Sequence, residues 1–281
     1  MWGMKIRLGH ATDIDDAFMS HALAAGAVAT GAFEIEHLRE DLATLNDRAA
    51  RGELDVTPIG VGAYAYVRDR YCLARCGATF ASRRGPLIVS RQDNNAQALE
   101  GAAVAVSGTT SSAYLALQLF KPGLRTMVLP VDKIVPAVKS GVVPLGLLAE
   151  ESPSVCDQWG LHCVADLAQW WTAKNGGDPL PIRCLAFRKD IDPSARKELE
   201  QVLAESIRQA LDHPSEAGAA ARKATGGDAK EGEVTDEINV ARMSLDLGDH
   251  GKQLIEKFLS QSHQAGIIPN ALPLEFASES I

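Results

Sequence analysis

Four stretches of this chain carry residues whose types and spacing suit chemistry. The first is Glu150-Glu151-Ser152-Pro153, two adjacent carboxylates after the apolar run Val142–Leu148. Burial and like charge would raise the pKa of one carboxyl and make Glu150 a base usable near neutrality. A solvated acidic loop is the competing reading. The second is Ser107-Gly108-Thr109-Thr110-Ser111-Ser112, a hydroxyl- and glycine-rich turn opening a helical pattern over Ala113–Phe120. Free backbone N–H groups and the positive end of the helix dipole suit such a turn to a carboxylate or phosphate, whereas ordinary capping needs only one of the hydroxyls. The Gly-Lys-Ser/Thr ending of a P-loop is missing. The third is Asp13, Asp15 and Asp16, in the first turn of a helix predicted over Ile14–Ala25. They read either as caps favoured by the helix dipole or as an acidic cluster facing a cleft, with Asp16 the candidate for ligand contact. The fourth is Pro58-Ile59-Gly60-Val61-Gly62, where glycines let the backbone pass close to a ligand. The basic loop Ser82-Arg83-Arg84-Gly85 reads equally as a contact for an acidic ligand or as solvated surface.

The elements that must position these residues form a repeat. A helix over Asp41–Ala50 stops at Gly52 and is followed by a buried strand, Leu54–Ile59. A helix over Asp132–Ser140 stops at Gly141 and is followed by the strand Val142–Leu148. Superposing the two glycines sets Pro58–Gly60 opposite Leu147–Ala149, with Glu150 just beyond. Two such units predict an α/β protein of two similar lobes around a central cleft, with ligands at the carboxyl ends of the strands. Further strands are expected at Met4–Gly9, Phe33–Leu38, Cys72–Ala78, Pro86–Ser90, Ala103–Val106, Met127–Pro130 and Arg183–Arg188. Helices are expected at Gly62–Arg70, Ala195–Leu211 and Lys252–Gln264, an alanine-rich run at Pro214–Asp228, and a mobile joint at Gly226-Gly227 with Lys230-Glu231-Gly232. Chain passages near Ser90-Arg91 and Phe187-Arg188 would make residues 1–91 and 188–281 one discontinuous lobe and 92–187 the other.

Composition narrows the class. The chain has 281 residues, 46% hydrophobic and 23% charged, enough for two cores of ordinary size. A formal charge of −8 argues against a nucleic-acid partner. No run of eighteen apolar residues spans a membrane, and Met4–Gly9 reads as a first strand rather than a signal peptide, which predicts a cytoplasmic protein. Cys72, Cys76, Cys156, Cys163 and Cys184 have neither the spacing of a disulfide framework nor that of a zinc site, so no metal is expected.

Several runs resemble the 1,4-dihydroxy-6-naphthoate synthases of the futalosine route to menaquinone. They are Thr44-Leu45-Asn46 with Ala49, Gly52 and Val56-Thr57; Ala63-Tyr64 with Val67-Arg68-Asp69-Arg70-Tyr71; Gly85-Pro86-Leu87; Gly160-Leu161 with Val164-Ala165-Asp166-Leu167 and Trp170-Trp171; Pro179-Leu180-Pro181; and Ser244-Leu245-Asp246-Leu247-Gly248. The resemblance runs nearly end to end. It implies a two-lobe fold like the periplasmic solute-binding proteins (type II) in a cytoplasmic enzyme. It also implies that a base takes a proton from cyclic dehypoxanthine futalosine and that 1,4-dihydroxy-6-naphthoate is released without metal or organic cofactor. The family's proposed base, a histidine before Glu-Ser, falls on Glu150. Its pocket Lys-x-Ser falls on Pro58-Ile59-Gly60, and its Thr-Thr on Ser111-Ser112. Its Ser-Pro-Cys-Pro-Asn-Asp falls on residues 11–16 and keeps only Asp16, and a Tyr-Val-Asn falls on Asn239-Val240-Ala241. The expected site is therefore Glu150 as base, with Asp16, Pro58, Ile59, Gly60, Thr110, Ser111, Ser112 and Glu151 around the substrate. A related enzyme for another small molecule and a non-catalytic binding protein with the same hinged cleft are the alternatives. The expected partner is a small molecule alone, bound by a monomer or homodimer.

Overall fold

A computed structural model describes residues 3–81, 85–92, 99–151, 154–226 and 233–278, with backbone alone at 150, 151, 154, 155 and 233–237. In chain order the elements are β1 (Met4–Ala11), α1 (Ile14–Ala24), β2 (Phe33–Glu40), α2 (Leu42–Arg51), β3 (Val56–Gly60), a 3-10 turn (Val61–Ala63), α3 (Tyr64–Val67), β4 (Tyr71–Leu73), β5 (Thr79–Ala81) and β6 (Gly85–Ser90). Then follow β7 (Ala103–Val106), α4 (Ser112–Phe120), β8 (Arg125–Val128), α5 (Val131–Ser140), β9 (Leu145–Glu151), α6 (Ser154–Trp159), β10 (His162–Asp166) and α7 (Leu167–Lys174). The chain ends with β11 (Leu180–Arg188), α8 (Pro193–Asp212), α9 (Pro214–Thr225), α10 (Glu233–Ser244) and α11 (Gly248–Gln264).

Local chemistry sets the helix ends. Asp13, Asp41 and Ser111 accept backbone N–H groups at the starts of α1, α2 and α4. Gly52 and Gly141 take the left-handed conformation, φ 71° and 77°, that closes α2 and α5. The repeat expected from these two glycines holds at the level of sheets. One sheet runs β2-β1-β3-β11-β4, with β5 also on β11, and the other runs β8-β7-β9-β6-β10. In each, a first strand lies between two parallel partners, and the fourth strand, β11 or β6, is antiparallel.

Several expectations are corrected. β6 belongs to the second sheet and β11 to the first, so the chain passes between sheets at 81–85 and between α7 and β11, rather than near residues 91 and 188. The strand expected over Cys72–Ala78 is two short strands separated by a turn with Gly77 at φ 74°. The helix expected over Gly62–Arg70 is a 3-10 turn followed by the four-residue α3. Glu150 and Glu151 do not break β9. Glu151 pairs with Gly85, and the ladder to β6 supplies the backbone partners that side-chain polarity alone argued against. The alanine-rich run Pro214–Thr225 is the helix α9, closed by Gly226 at φ 70°, and 227–232, the rest of the expected joint, lie outside the described residues.

The largest core joins the two lobes. It runs from Ile59, Val61 and Tyr64 through Ala113 and Leu115 of α4 to Trp171 of α7 and Phe258 of α11. Trp171 meets Phe258 edge to face at 5.1 Å. The tightest approach is at Gly62. Its N–H donates to Ser112 Oγ at 3.4 Å, and that hydroxyl donates to Ile182 O at 2.5 Å. A second core packs α1 and α8–α10 on the outer face of the first sheet. Here a buried ion pair fastens α1, for Arg183 of β11, 1% exposed, donates to the N-cap carboxylate of Asp13. Burial raises the Asp13 carboxyl, but the charge and hydrogen bond of Arg183 outweigh it and hold the pKa below the ordinary value.

Two predictions follow from this packing. A Cβ at Gly62 would stand 2.8 Å from Thr110 O and 2.9 Å from Leu115, whereas one at Gly60 meets nothing closer than 3.5 Å. Gly62→Ala should cost about 1–3 kcal/mol in urea unfolding, with Gly60→Ala near neutral; equal effects would refute the tight approach. The Asp13 contribution is present above the unfolded aspartate pKa of about 3.9 and is lost as pH falls through the lower folded value. The stability gap between wild type and Asp13→Asn should therefore be full at neutral pH and shrink on acidification; a gap independent of pH would refute it.

Candidate active site

The carboxyl ends of β3 and β7 meet where the lobes face each other, with the Cβ position of Gly60 3.6 Å from Ser111 Cα. From the first lobe, α2 presents Ala43, Asn46 and Asp47. From the second, the turn after β7 presents Ser107–Ser111, and β8 delivers Val128 into the run before α5. These walls enclose a cavity of about 220 Å³ lined by Asn46, Asp47, Ser107–Ser111 and Val128. It adjoins a larger space of about 630 Å³ between α2 and the segment Val128–Asp132. A volume of that order suits a small organic ligand.

Thr110, Ser111 and Gly60 come together here, since the Cβ position of Gly60 lies 3.6 Å from Ser111 Cα. The hydroxyls do less than expected. Ser111 Oγ accepts from Tyr114 N at 3.1 Å and so caps α4. Ser112, 2% exposed, spends its hydroxyl on Gly62 and Ile182, so it ties the lobes together instead of facing the cavity. What remains for a ligand is the backbone. Among the described residues, the N–H groups of Ser112 and Ala113 make no hydrogen bond, as the first turn of a helix dictates. Thr109 and Thr110 keep free hydroxyls at the cavity wall. Gly62 for its part approaches Thr110 and Leu115 closely.

Other expected residues lie elsewhere. Ile59 is fully buried in the core. Pro58 and Asp16 line a separate small cavity, about 40 Å³, between the first sheet and helices α1 and α8. There Asp16 Oδ2 is 3.2 Å from His10 Nδ1, and His10 Nε2 is 2.8 Å from His37 Nδ1. Desolvation of its ring, then the neighbouring His10, hold the His37 pKa below its usual value. The carboxylate of Asp16 is thus engaged inside its own lobe. Glu150 and Glu151 stand at the cavity end of β9, and their side chains lie outside the described residues. Ser82, Arg83 and Arg84 of the basic loop lie outside them altogether.

Asn46 and Asp47 of α2, and Arg183 of β11, were not among the expected site residues. Asn46 has a legible signal, an amide in the buried stripe Leu45–Ala49 of an amphipathic helix, where a polar residue needs a partner. Arg183 has a similar one, a single charge inside the buried strand Leu180–Phe187.

Comparison with known proteins agrees with this architecture. The family described as menaquinone biosynthesis matches residues 6–264. A 1,4-dihydroxy-6-naphthoate synthase of Thermus thermophilus is 34% identical over 277 residues, which span 96% of this chain and 98% of the relative. A crystal structure of an Archaeoglobus fulgidus protein, 32% identical, superposes with a TM-score of 0.84 over 94% of this chain and 98% of that one. The periplasmic aliphatic sulphonate-binding protein of Escherichia coli shares only 11% identity. It superposes with a TM-score of 0.63 over 95% and 94% of the two chains, so the fold alone is common. With two sheets of matching order around one cleft, and a family match over nearly all its length, the chain belongs to the menaquinone biosynthesis family in a periplasmic-binding-protein-like fold.

Proposed function

We propose that this protein is a 1,4-dihydroxy-6-naphthoate synthase, a cytoplasmic lyase that converts cyclic dehypoxanthine futalosine to 1,4-dihydroxy-6-naphthoate. The observation that carries this reading is the 34% identity to the Thermus thermophilus synthase over 96% of the chain. The cleft supports it, because the cavity lies at the carboxyl end of β7 and is lined by the turn Ser107–Ser111 that leads into α4. In this reading Glu150, at the end of β9, removes the proton whose loss starts bond cleavage. The N-terminus of α4 holds the acid group of the substrate. The chain's own groups suffice for the step: a carboxylate takes the proton, and the bond to the sugar-derived remainder breaks as the naphthoate ring becomes aromatic.

One observation favours a second reading, a family member acting on another small molecule. Positions 58–60, where the resemblance expects a pocket Lys-x-Ser, hold a proline and an isoleucine packed within the first lobe.

Incubation with cyclic dehypoxanthine futalosine should yield 1,4-dihydroxy-6-naphthoate, detected by mass. Glu150→Gln should lower kcat about 10²- to 10⁴-fold, the usual contribution of a general base, while leaving substrate binding within a few-fold. Product from wild type but undiminished turnover in Glu150→Gln would move the base elsewhere. Absence of product from a folded wild type would favour the second reading.

A further inference from the structure

The amide of Asn46 is a polar group of the cleft with no part in the reaction proposed above. It is 4% exposed on α2, and its Oδ1 accepts from Gly60 N at 2.9 Å. That N–H can be satisfied only by the oxygen, so the bond fixes which way the amide faces. The Nδ2 is left with no partner among the described residues, on the wall of the 220 Å³ cavity. It lies 3.5 Å from the Cβ position of Gly60, and Ser112 N lies 3.6 Å from the same point. Two sets of N–H donors, one from each lobe, therefore flank one spot beside a residue with no side chain.

We propose that Asn46 is the first-lobe half of a carboxylate subsite whose second half is the N-terminus of α4, so that the acid group of the substrate bridges the two lobes. The assignment rests on the synthase reading for the identity of the ligand, and on the geometry for the donors. The nearest carboxylate on the cavity wall, Asp47, is exposed and one residue further round α2. It opposes an anion at the outer edge and accepts hydrogen bonds from ligand hydroxyls there. An aromatic acid would thus seat its carboxylate between Asn46 and α4, with its hydroxylated parts outward.

Asn46→Asp tests this directly. One aspartate oxygen can still accept from Gly60, while the other replaces the donor by an acceptor. The probes are 1,4-dihydroxy-6-naphthoate and its primary amide, titrated calorimetrically against wild type and variant, with thermal melts confirming that both are folded. Wild type should prefer the acid. The variant should bind the acid about ten- to a hundred-fold more weakly, as for loss of a hydrogen bond to a charged group, and should prefer the amide. A reversed preference cannot come from unfolding. A variant that still prefers the acid as wild type does overturns the role of Asn46, and the synthase reading stands if turnover persists. A wild type with no preference for the acid, through equal binding or none, overturns the subsite. Loss of both binding and turnover in wild type overturns the synthase reading with it.

Discussion

Everything in the cleft depends on how closely β3 and α4 are allowed to meet. Gly62 has no Cβ, so its backbone reaches Thr110 and Leu115, and the Ser112 hydroxyl links Gly62 N to Ile182 O across the lobes. A Cβ there would push the start of α4 away from the end of β3. The core that continues through this joint, from Ile59 to Phe258, makes the contact a fixed part of the fold. One consequence is chemical. The same contact that spends the Ser112 hydroxyl sets its backbone N–H 3.6 Å from the Cβ position of Gly60, so the joint both closes the molecule and fixes where the start of α4 stands.

Much of this fold was legible in the chain because its signals are local. Asp13, Asp41 and Ser111 each begin a helix by accepting the N–H three residues on, and Gly52 and Gly141 end two helices in a conformation that favours glycine. These are properties of a few consecutive residues, and the repeat of helix, glycine and strand followed from them. Sheet membership is not local. β6 and β11 are apolar runs of the same kind, and nothing within either says which sheet it enters antiparallel. The same limit explains β9, where pairing with β6 keeps Glu150 and Glu151 in a strand despite their charge.

The site divides along the same line. The turn from Ser107 to Ser112 suggested an anion site through composition, and its residues Ser107–Ser111 line the cavity. Yet its hydroxyls were over-read, since one caps α4 and another binds the lobes. Asp16 was read as facing the cleft because it follows β1, but α1 starts so tightly on Asp13 that Asp16 turns under the helix to His10. Asn46 needed two facts that sequence cannot supply together: that its helix face is buried and that Gly60 N would claim its oxygen.

The division of labour between charges and dipoles follows from burial. At the ligand end of the first sheet, the cation of Arg183 is matched by Asp13 and therefore offers little net charge to a ligand. A lone ammonium in the same place would carry a large desolvation cost, several kcal/mol even after relaxation, until its anion arrived. A neutral amide costs far less to bury, and a helix N-terminus is already assembled by the fold. With the net charge of the chain at −8, an anionic substrate of the kind proposed would gain nothing from the long-range field and would have to be held by donors placed in advance. Asn46, fixed by Gly60, and the first N–H groups of α4, fixed by the lobe joint, are donors of that kind. Their spacing is set by the close contact at Gly62, which is why the geometry of the joint and the choice of ligand cannot vary independently.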